Sequence, residues 1–149
     1  MFLQKLIDKN PALIEQAVRL HQQGLIPANS YLLDLDMLYY NAKQIKEEAD
    51  RYGLKAFAMT KQIGRNPAAM RTLRAAGIDA CVCVDMADAR RVHEAGLVVG
   101  HLGHLVQVPF AEVAAAVAMR PLYWTVYSLE KAKEISDALP EGQIQNILL

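Results

Sequence analysis

The stretch GIDACVCVDMADARRVHEAGLVVGHLGH at residues 77–104 decides the fold, because it contains a strand, a helix and a second strand in direct succession. The sequence DACVCVD at residues 79–85 is typical of a strand. Residues 86–96 have the spacing of an amphipathic helix, which Asp85 is expected to cap. Residues 97–104 predict the second strand and a loop. This order favours two parallel strands joined by a helix that packs on one face of the sheet.

The same alternation continues on both sides of this stretch. It predicts four further strands, over residues 30–36, 55–60, 122–128 and 144–149. It predicts further helices over residues 37–53, 66–77, 109–120 and 129–139. Residues 1–23 predict a helix in two pieces, with Asn10 as the N-cap of the second piece. The strand–helix unit recurs about every 20 to 25 residues, which predicts an α/β fold built on a parallel sheet.

Two parallel architectures fit this order, an open doubly wound sheet and part of an eight-stranded barrel. No Gly-x-Gly-x-x-Gly sequence follows the first predicted strand, so the nucleotide-binding form of the doubly wound sheet has no support. A closed barrel usually takes ~250 residues, and this chain has room for about six of its eight units. We therefore expect residues 30–149 to form the N-terminal portion of a TIM-type (β/α)8 barrel, truncated before its end. Residues 1–29 are expected to form a helical segment in front of it.

The composition is that of a globular domain without a nucleic-acid or membrane partner. Acidic and basic side chains balance at 16 each, 53% of the residues are hydrophobic, and no apolar run reaches the length of a membrane span. The N-terminus has no continuous apolar segment of the kind that directs secretion. Cys81 and Cys83 are expected to be buried free thiols in a reducing cytoplasm, and no zinc-binding set accompanies them. We therefore expect a cytoplasmic protein whose partner is a small molecule.

A lone lysine ends the predicted strand in AFAMTKQIGRNP at residues 56–67. In parallel α/β folds the chemistry lies at the carboxyl ends of the strands, and Lys61 occupies such a position. An amine beside an apolar wall favours its neutral form, which attacks a carbonyl group to give a Schiff base. The same position also suits a lysine that extends into solvent, while Gly64 and Asn66 suit an ordinary turn and helix cap. Position alone leaves the function of Lys61 open.

The sequence YLLDLDMLYYNAKQI at residues 31–45 resembles the first strand and helix of the alanine racemase-like, fold-type III enzymes that use pyridoxal 5'-phosphate. Asp34, Asp36 and Asn41 match the Asp-x-Asp element and the early asparagine of that family. Stretches similar to its third and fifth strand–helix units occur at residues 75–97 and 124–136. The combination of TKQxGRNP with GHLxQxP is most similar to a little-characterised bacterial branch that is described as amino-acid racemase-like.

The resemblance implies that Lys61 holds pyridoxal 5'-phosphate as a Schiff base and that the parent is an isomerase, an amino-acid racemase. The tyrosine that follows this lysine in typical alanine racemases is absent, which leaves the amino-acid substrate open. Arg65 is expected to contact a phosphate or carboxylate instead, because a guanidinium suits a bidentate oxyanion. His101 and His104 are expected at the same end of the barrel, against the cofactor or the substrate, with Gln107 as a further polar contact. No metal site is expected.

Other functions of the same fold stay open at this point. They are a D-amino-acid aldolase or dehydratase, a pyridoxal phosphate homeostasis protein that binds the cofactor without turnover, and an inactive truncated fragment. In the family, the second acid–base group and the phosphate cup come from later strands or from a C-terminal domain, so the activity of the 149-residue chain itself is left open. A partial barrel exposes sheet edges and apolar faces, and for this reason we expect a homo-oligomer.

Overall fold

The computed structural model describes residues 2–149, which divide after Asp34 into two compact units. The first unit is helical. Helix α1 (Phe2–Lys9) and helix α2 (Pro11–Gln22) are separated by Asn10, whose side-chain oxygen accepts a hydrogen bond of 3.2 Å from the backbone N–H of Leu13. The amide nitrogen of Asn10 donates to the Asp34 carboxylate at 2.6 Å. The predicted two-piece helix is therefore confirmed, and its break is fixed by a capping side chain.

The second unit alternates helices and strands from Leu35 to Leu149. Its helices are α3 (Leu35–Arg51), α4 (Pro67–Ala75), α5 (Met86–Glu94), α6 (Val113–Ala118) and α7 (Leu129–Ala138). Its strands are β1 (Ala58–Met59), β2 (Ala80–Cys83), β3 (Val98–Leu102), β4 (Tyr123–Thr125) and β5 (Ile147–Leu148). Short 3-10 turns at Lys61–Ile63 and Phe110–Glu112 precede α4 and α6. None of the helices in the described part of the chain is long and apolar enough to cross a membrane.

The order of the strands decides between the two architectures that the sequence left open. The sheet runs β1-β2-β3-β4-β5, and each neighbouring pair is parallel. A doubly wound sheet reverses its strand order at a switch point, whereas a barrel adds each new strand beside the previous one. The consecutive order is therefore that of a partial TIM-like barrel, and the predicted fold class is confirmed.

The predicted first strand, over residues 30–36, is wrong. Residues 30–34 have no regular secondary structure, and α3 already begins at Leu35. The apolar residues that suggested a strand are exposed, with Tyr31 at 96% relative accessibility, and they pair with no strand of the sheet. An apolar run forms a strand only where a neighbouring strand takes up its backbone hydrogen bonds. Within residues 2–149 the sheet therefore has five strands and not six.

The hydrophobic core lies between the sheet and the helices. Side chains from alternate strand positions, such as Cys83, Leu102 and Trp124, point towards the helices and are fully buried. They pack with apolar side chains of α4, α5, α6 and α7, such as Met70 and Ile135. The opposite, inner face carries a row of side chains in register across four strands: Met59, Val82, His101 and Tyr123. That row is only partly buried, so the inner face is the accessible side of the sheet.

A bulge in β3 turns one polar side chain towards the inner face. Cys81 pairs with Val99, but the next residue, Val82, pairs with His101, so Gly100 is an extra residue in β3. An extra residue shifts the alternation of all the side chains that follow it. The bulge therefore places His101 in the inner row and leaves Leu102 facing the helices.

We predict that the two thiols are unreactive in the folded protein. Burial raises the pKa of Cys81 to about 11 and the pKa of Cys83 to about 12, with Asp79 adding to the first shift and Cys81 to the second. Because only the thiolate attacks a disulfide reagent, labelling at pH 8 should be absent in native protein and should reach both thiols in denaturant. A colorimetric thiol assay measures this, and rapid labelling of the native protein would contradict the prediction.

Candidate functional site

The carboxyl ends of the parallel strands form one edge of the sheet, and the sequence-predicted site residues lie along it. Lys61 follows β1, and His101 and His104 lie at and beyond the end of β3. Thr125 is the last residue of β4, the strand that follows the two histidines in the sequence. In barrels this edge is where the loops carry the chemistry, because the rigid strands fix the position of each loop.

The backbone around Lys61 is held in a tight, hydrogen-bonded turn. Lys61 starts the 3-10 turn that follows the buried Thr60. The Arg65 N–H donates to the Thr60 carbonyl at 3.0 Å, and the Gly64 N–H donates to the Lys61 carbonyl at 3.2 Å. These two bonds are those of a Schellman motif, which needs a left-handed residue, and Gly64 supplies it at φ 64°. The main chain of Lys61 is therefore held between strand β1 before it and the hydrogen-bonded turn after it.

The side chain of Lys61 differs from the expectation in one respect. It is exposed to solvent and is not covered by an apolar wall. It makes no ion pair and no side-chain hydrogen bond with any residue between 2 and 149. The amine is therefore available to a ligand without breaking an existing contact.

Arg65, which the sequence suggested as a contact to an anion, is already engaged. Its Nε pairs with the carboxylate of Asp88 in the first turn of α5. The same side chain lines a cavity of about 350 Å³ between α4 and α5, together with Pro67 and Met70. Direct contact of Arg65 with a cofactor phosphate stays a prediction, and it would have to come from the terminal guanidinium nitrogens.

Asp88 is a residue that the sequence reasoning missed. It is 1% exposed, its second carboxylate oxygen accepts from the Val84 N–H at 3.1 Å, and its own N–H donates to the Asp85 carboxylate at 2.8 Å. Asp85 therefore caps the start of α5, while the Asp88 carboxylate bonds to the residue that precedes the cap. The spacing Asp85-x-x-Asp88 directly after a strand was the available signal, although it could not reveal the pairing with Arg65.

The imidazole of His101 is oriented by a hydrogen bond to Thr125. The distance from His101 Nε2 to Thr125 Oγ1 is 2.6 Å, and the centroids of the His101 and His104 rings are 5.4 Å apart. Burial, with His104 adding to it, lowers the pKa of His101 below its ordinary value. The lowered pKa favours the neutral form of His101, and the bond to Thr125 gives its ring a fixed orientation at the inner face. The sequence did not single out Thr125.

The loop that carries His104 is tied to β4 and α7. Gln107 donates from its amide nitrogen to the carbonyls of Gly103 and Thr125, both at 3.1 Å. The Tyr127 hydroxyl donates to the His104 carbonyl at 2.7 Å, and Lys131 donates to the Val108 carbonyl at 2.8 Å. These bonds satisfy the backbone of the loop at several points and hold it against the edge of the sheet. Gln107 thus stabilises the conformation of the loop.

Comparison with known proteins agrees with the partial barrel fold. The family described as alanine racemase, N-terminal domain, matches residues 33–149. The chain belongs to this family. An uncharacterised protein of Escherichia coli (strain K12), YhfX, is 45% identical over 150 residues, which cover 100% of this chain and 39% of that relative. The chain therefore spans well under half the length of the curated relative that it matches.

The structure brings together only some of the predicted site residues. His101 and His104 are in ring contact, and Lys61 and Arg65 share one turn. Asp36, which matched the Asp-x-Asp element, lies in the first turn of α3 because the strand expected to end there does not form. No cluster of three or more His, Cys, Asp or Glu side chains that could hold a metal ion occurs in the described part of the chain.

We predict that Gly103→Ala destabilises this domain more than an equivalent change elsewhere. Gly103 has φ 79°, and a Cβ there would lie 2.9 Å from the Thr125 carbonyl oxygen and 3.3 Å from the Trp124 ring. The expected loss in the free energy of unfolding is about 1–3 kcal/mol, from strain plus a forced shift of the backbone. Gly142→Ala is the control, since it has φ 76° with no atom within 4 Å. Denaturant unfolding measures both, and equal losses would show that the close contact costs nothing.

We also predict that His104→Ala raises the pKa of His101. His104 contributes, after burial, to the lowered pKa of His101, so removing its imidazole should move the pKa of His101 back towards the ordinary value. An NMR titration of the imidazole resonances measures the shift. His93→Ala, on the exposed face of α5, is the control and should leave His101 unchanged. An unchanged pKa of His101 in His104→Ala would contradict the proposed interaction.

Proposed function

We propose that this chain is the cofactor-binding barrel portion of a pyridoxal 5'-phosphate-dependent, amino-acid racemase-like protein, with Lys61 as the Schiff-base lysine. The observation that carries the proposal is an exposed, unpaired amine on a rigid turn at the carboxyl end of a barrel strand, in a member of the alanine racemase N-terminal domain family. Such an amine suits condensation with an aldehyde.

The residues at this edge fit the cofactor in part. Lys61 would hold it covalently, and the imidazole rings of His101 and His104 would border its ring or the substrate. The fit rests on the accessible amine and on His101, which Thr125 holds at the inner face. When bound, pyridoxal 5'-phosphate supplies the electron sink that stabilises a carbanion at the α-carbon of an amino acid. The Arg65 guanidinium is the weakest part of the fit, because Asp88 already occupies its Nε.

The chain's own residues would divide the work of proton transfer and orientation. The free amine of Lys61 is suited to move a proton on one face of the substrate α-carbon. Racemisation needs a base on each face, and the family resemblance assigns the second base to later strands or to a C-terminal domain. Because the chain spans 39% of its curated relative, the turnover of the whole protein is part of the proposal.

A cofactor-binding protein without turnover is the second candidate function. The observation that favours it is the accessible amine of Lys61, which is enough for covalent binding, whereas racemisation needs a second base that none of the contacts among residues 2–149 assigns. A same-fold aldolase or dehydratase would use the same lysine, so its distinction from a racemase also depends on groups outside this site. Substrate-dependent exchange of the α-proton in deuterated water separates turnover from binding.

The homo-oligomeric state and the cytoplasmic location also stay predictions. The inner face of the sheet is accessible, and Leu148 on the edge strand is 43% exposed. An exposed parallel edge favours pairing with another chain, which supports a homo-oligomer. A cytoplasmic location rests on the buried free thiols of Cys81 and Cys83.

We predict that Lys61→Ala abolishes a covalent adduct with pyridoxal 5'-phosphate. The wild-type chain should acquire a yellow absorbance with the cofactor, and borohydride should fix the label on the peptide that contains Lys61. Lys55→Ala is the matched control, because Lys55 lies before the same strand with its ammonium 5.6 Å from the Phe57 ring. Peptide mass mapping of the reduced samples measures the label. Equal labelling of Lys61 and Lys55, or none on Lys61, would overturn the proposed function.

A further inference from the structure

The ion pair between Arg65 and Asp88 joins the turn after β1 to the start of helix α5, at the carboxyl ends of the strands. Arg65 belongs to the turn after β1, and Asp88 lies in the first turn of α5 after β2. The carboxylate of Asp88 also accepts the Val84 N–H at 3.1 Å. One buried side chain therefore connects the turn that contains Lys61 to the end of the neighbouring strand.

The main chain at Arg65 has an unfavourable conformation that needs support. Gly64 and Arg65 are both left-handed, at φ 64° and φ 54°. A left-handed conformation costs a glycine little, but it strains arginine, and such strain persists only where the surroundings enforce it. The ion pair with Asp88 is the side-chain contact of Arg65 that opposes relaxation of this turn.

Asp88 depends on Arg65 in return. Its carboxylate is 1% exposed, and Arg65 is the one cation within ion-pair distance among the residues that the structure describes. A buried carboxylate is stable as an ion only where a cation and hydrogen-bond donors compensate for the lost water. The two residues therefore hold each other in place.

The position of Arg65 in turn determines the closure of the turn around Lys61. The Arg65 N–H donates to the Thr60 carbonyl, so the hydrogen-bonded ring that this bond closes includes the backbone of Lys61. The torsions of residues 60–64 close this ring, so Arg65 stabilises it by keeping its own N–H in place through the ion pair with Asp88. Without that ion pair, the Arg65 N–H would leave the Thr60 carbonyl more often and the turn that contains Lys61 would open.

We propose that Asp88 is a positioning residue for Lys61 and acts through Arg65. It contacts neither a cofactor nor a substrate in this role. The effect on cofactor binding rests on the proposed function of Lys61, whereas the effect on the turn follows from the contacts of Asp88 alone. Arg65 thus serves the site by fixing the lysine turn.

Asp88→Asn tests the role with little change in volume. The carboxylate uses one oxygen for Arg65 and the other for the Val84 N–H, but an amide has a single acceptor oxygen and must give up one of the two contacts. Hydrogen exchange of the Gly64 and Arg65 amides, followed by NMR without cofactor, should accelerate about tenfold as the turn opens more often. Ser128→Ala, which removes the cap of α7, is a control for general destabilisation and should leave exchange in the turn unchanged.

The second measurement is binding of pyridoxal 5'-phosphate itself. Asp88→Asn should weaken the apparent affinity or slow the formation of the reducible adduct by about tenfold, because a misplaced amine reacts more slowly. Arg65→Met should have a similar effect, and the double variant should be no worse than the more affected single variant, since the residues act as a pair. Additive effects, or an equal effect in Ser128→Ala, would overturn the proposal.

The two measurements separate failure of this proposal from failure of the proposed function. If wild-type protein forms no adduct at Lys61 but Asp88→Asn accelerates exchange in the turn, the positioning role stands and the cofactor assignment fails. If wild-type protein forms the adduct and Asp88→Asn changes neither exchange nor affinity, the positioning role fails and the cofactor assignment stands.

Discussion

Parallel pairing of the strands in the order of the chain is the constraint on which the rest of this structure depends. Each new strand joins beside the previous one, so the carboxyl ends of all five strands meet at one edge and the helices cover one face. That arrangement buries Trp124, Leu102 and Cys83 completely on the helix side. It also brings residues that are distant in sequence, such as Lys61 and His101, to the same edge. Parallel pairing in chain order thus produces both the hydrophobic core and the candidate site.

Departures from regular pairing then shape the edge. The extra residue at Gly100 turns His101 to the inner face, where Thr125 of the next strand fixes its ring. The αR backbone of Thr60 ends the strand before Lys61, and the left-handed residues Gly64 and Arg65 close the turn that follows. A regular strand would have carried neither side chain to its present position. The local irregularities are small, but each is held by a contact to the neighbouring strand or helix.

Local chemistry explains which features could be predicted from the sequence. Helix caps can be predicted because a cap bonds residues only two or three positions away. The structure has the expected caps at Asn10, Asn66 and Asp85, and a further one at Ser128. The strand at residues 30–36 was wrong because a strand depends on a partner that its own sequence does not specify. Asp88 and Thr125 were missed for the same reason, since each acquires its significance from a residue more than 20 positions away. Only the strand register brings these pairs together.

The difference in burial between the two faces explains why polar chemistry collects at the edge. On the helix side the buried carboxylate of Asp88 is compensated by Arg65 and the Val84 N–H. At the inner face and the loop edge, Lys61 remains solvated and His101 needs only the Thr125 hydroxyl. Asp88 lies between these two environments, since it is buried but pairs with Arg65 of the exposed turn. The ion pair therefore restricts the movement of that turn. A buried carboxylate on the helix side can therefore order an amine that stays accessible on the other.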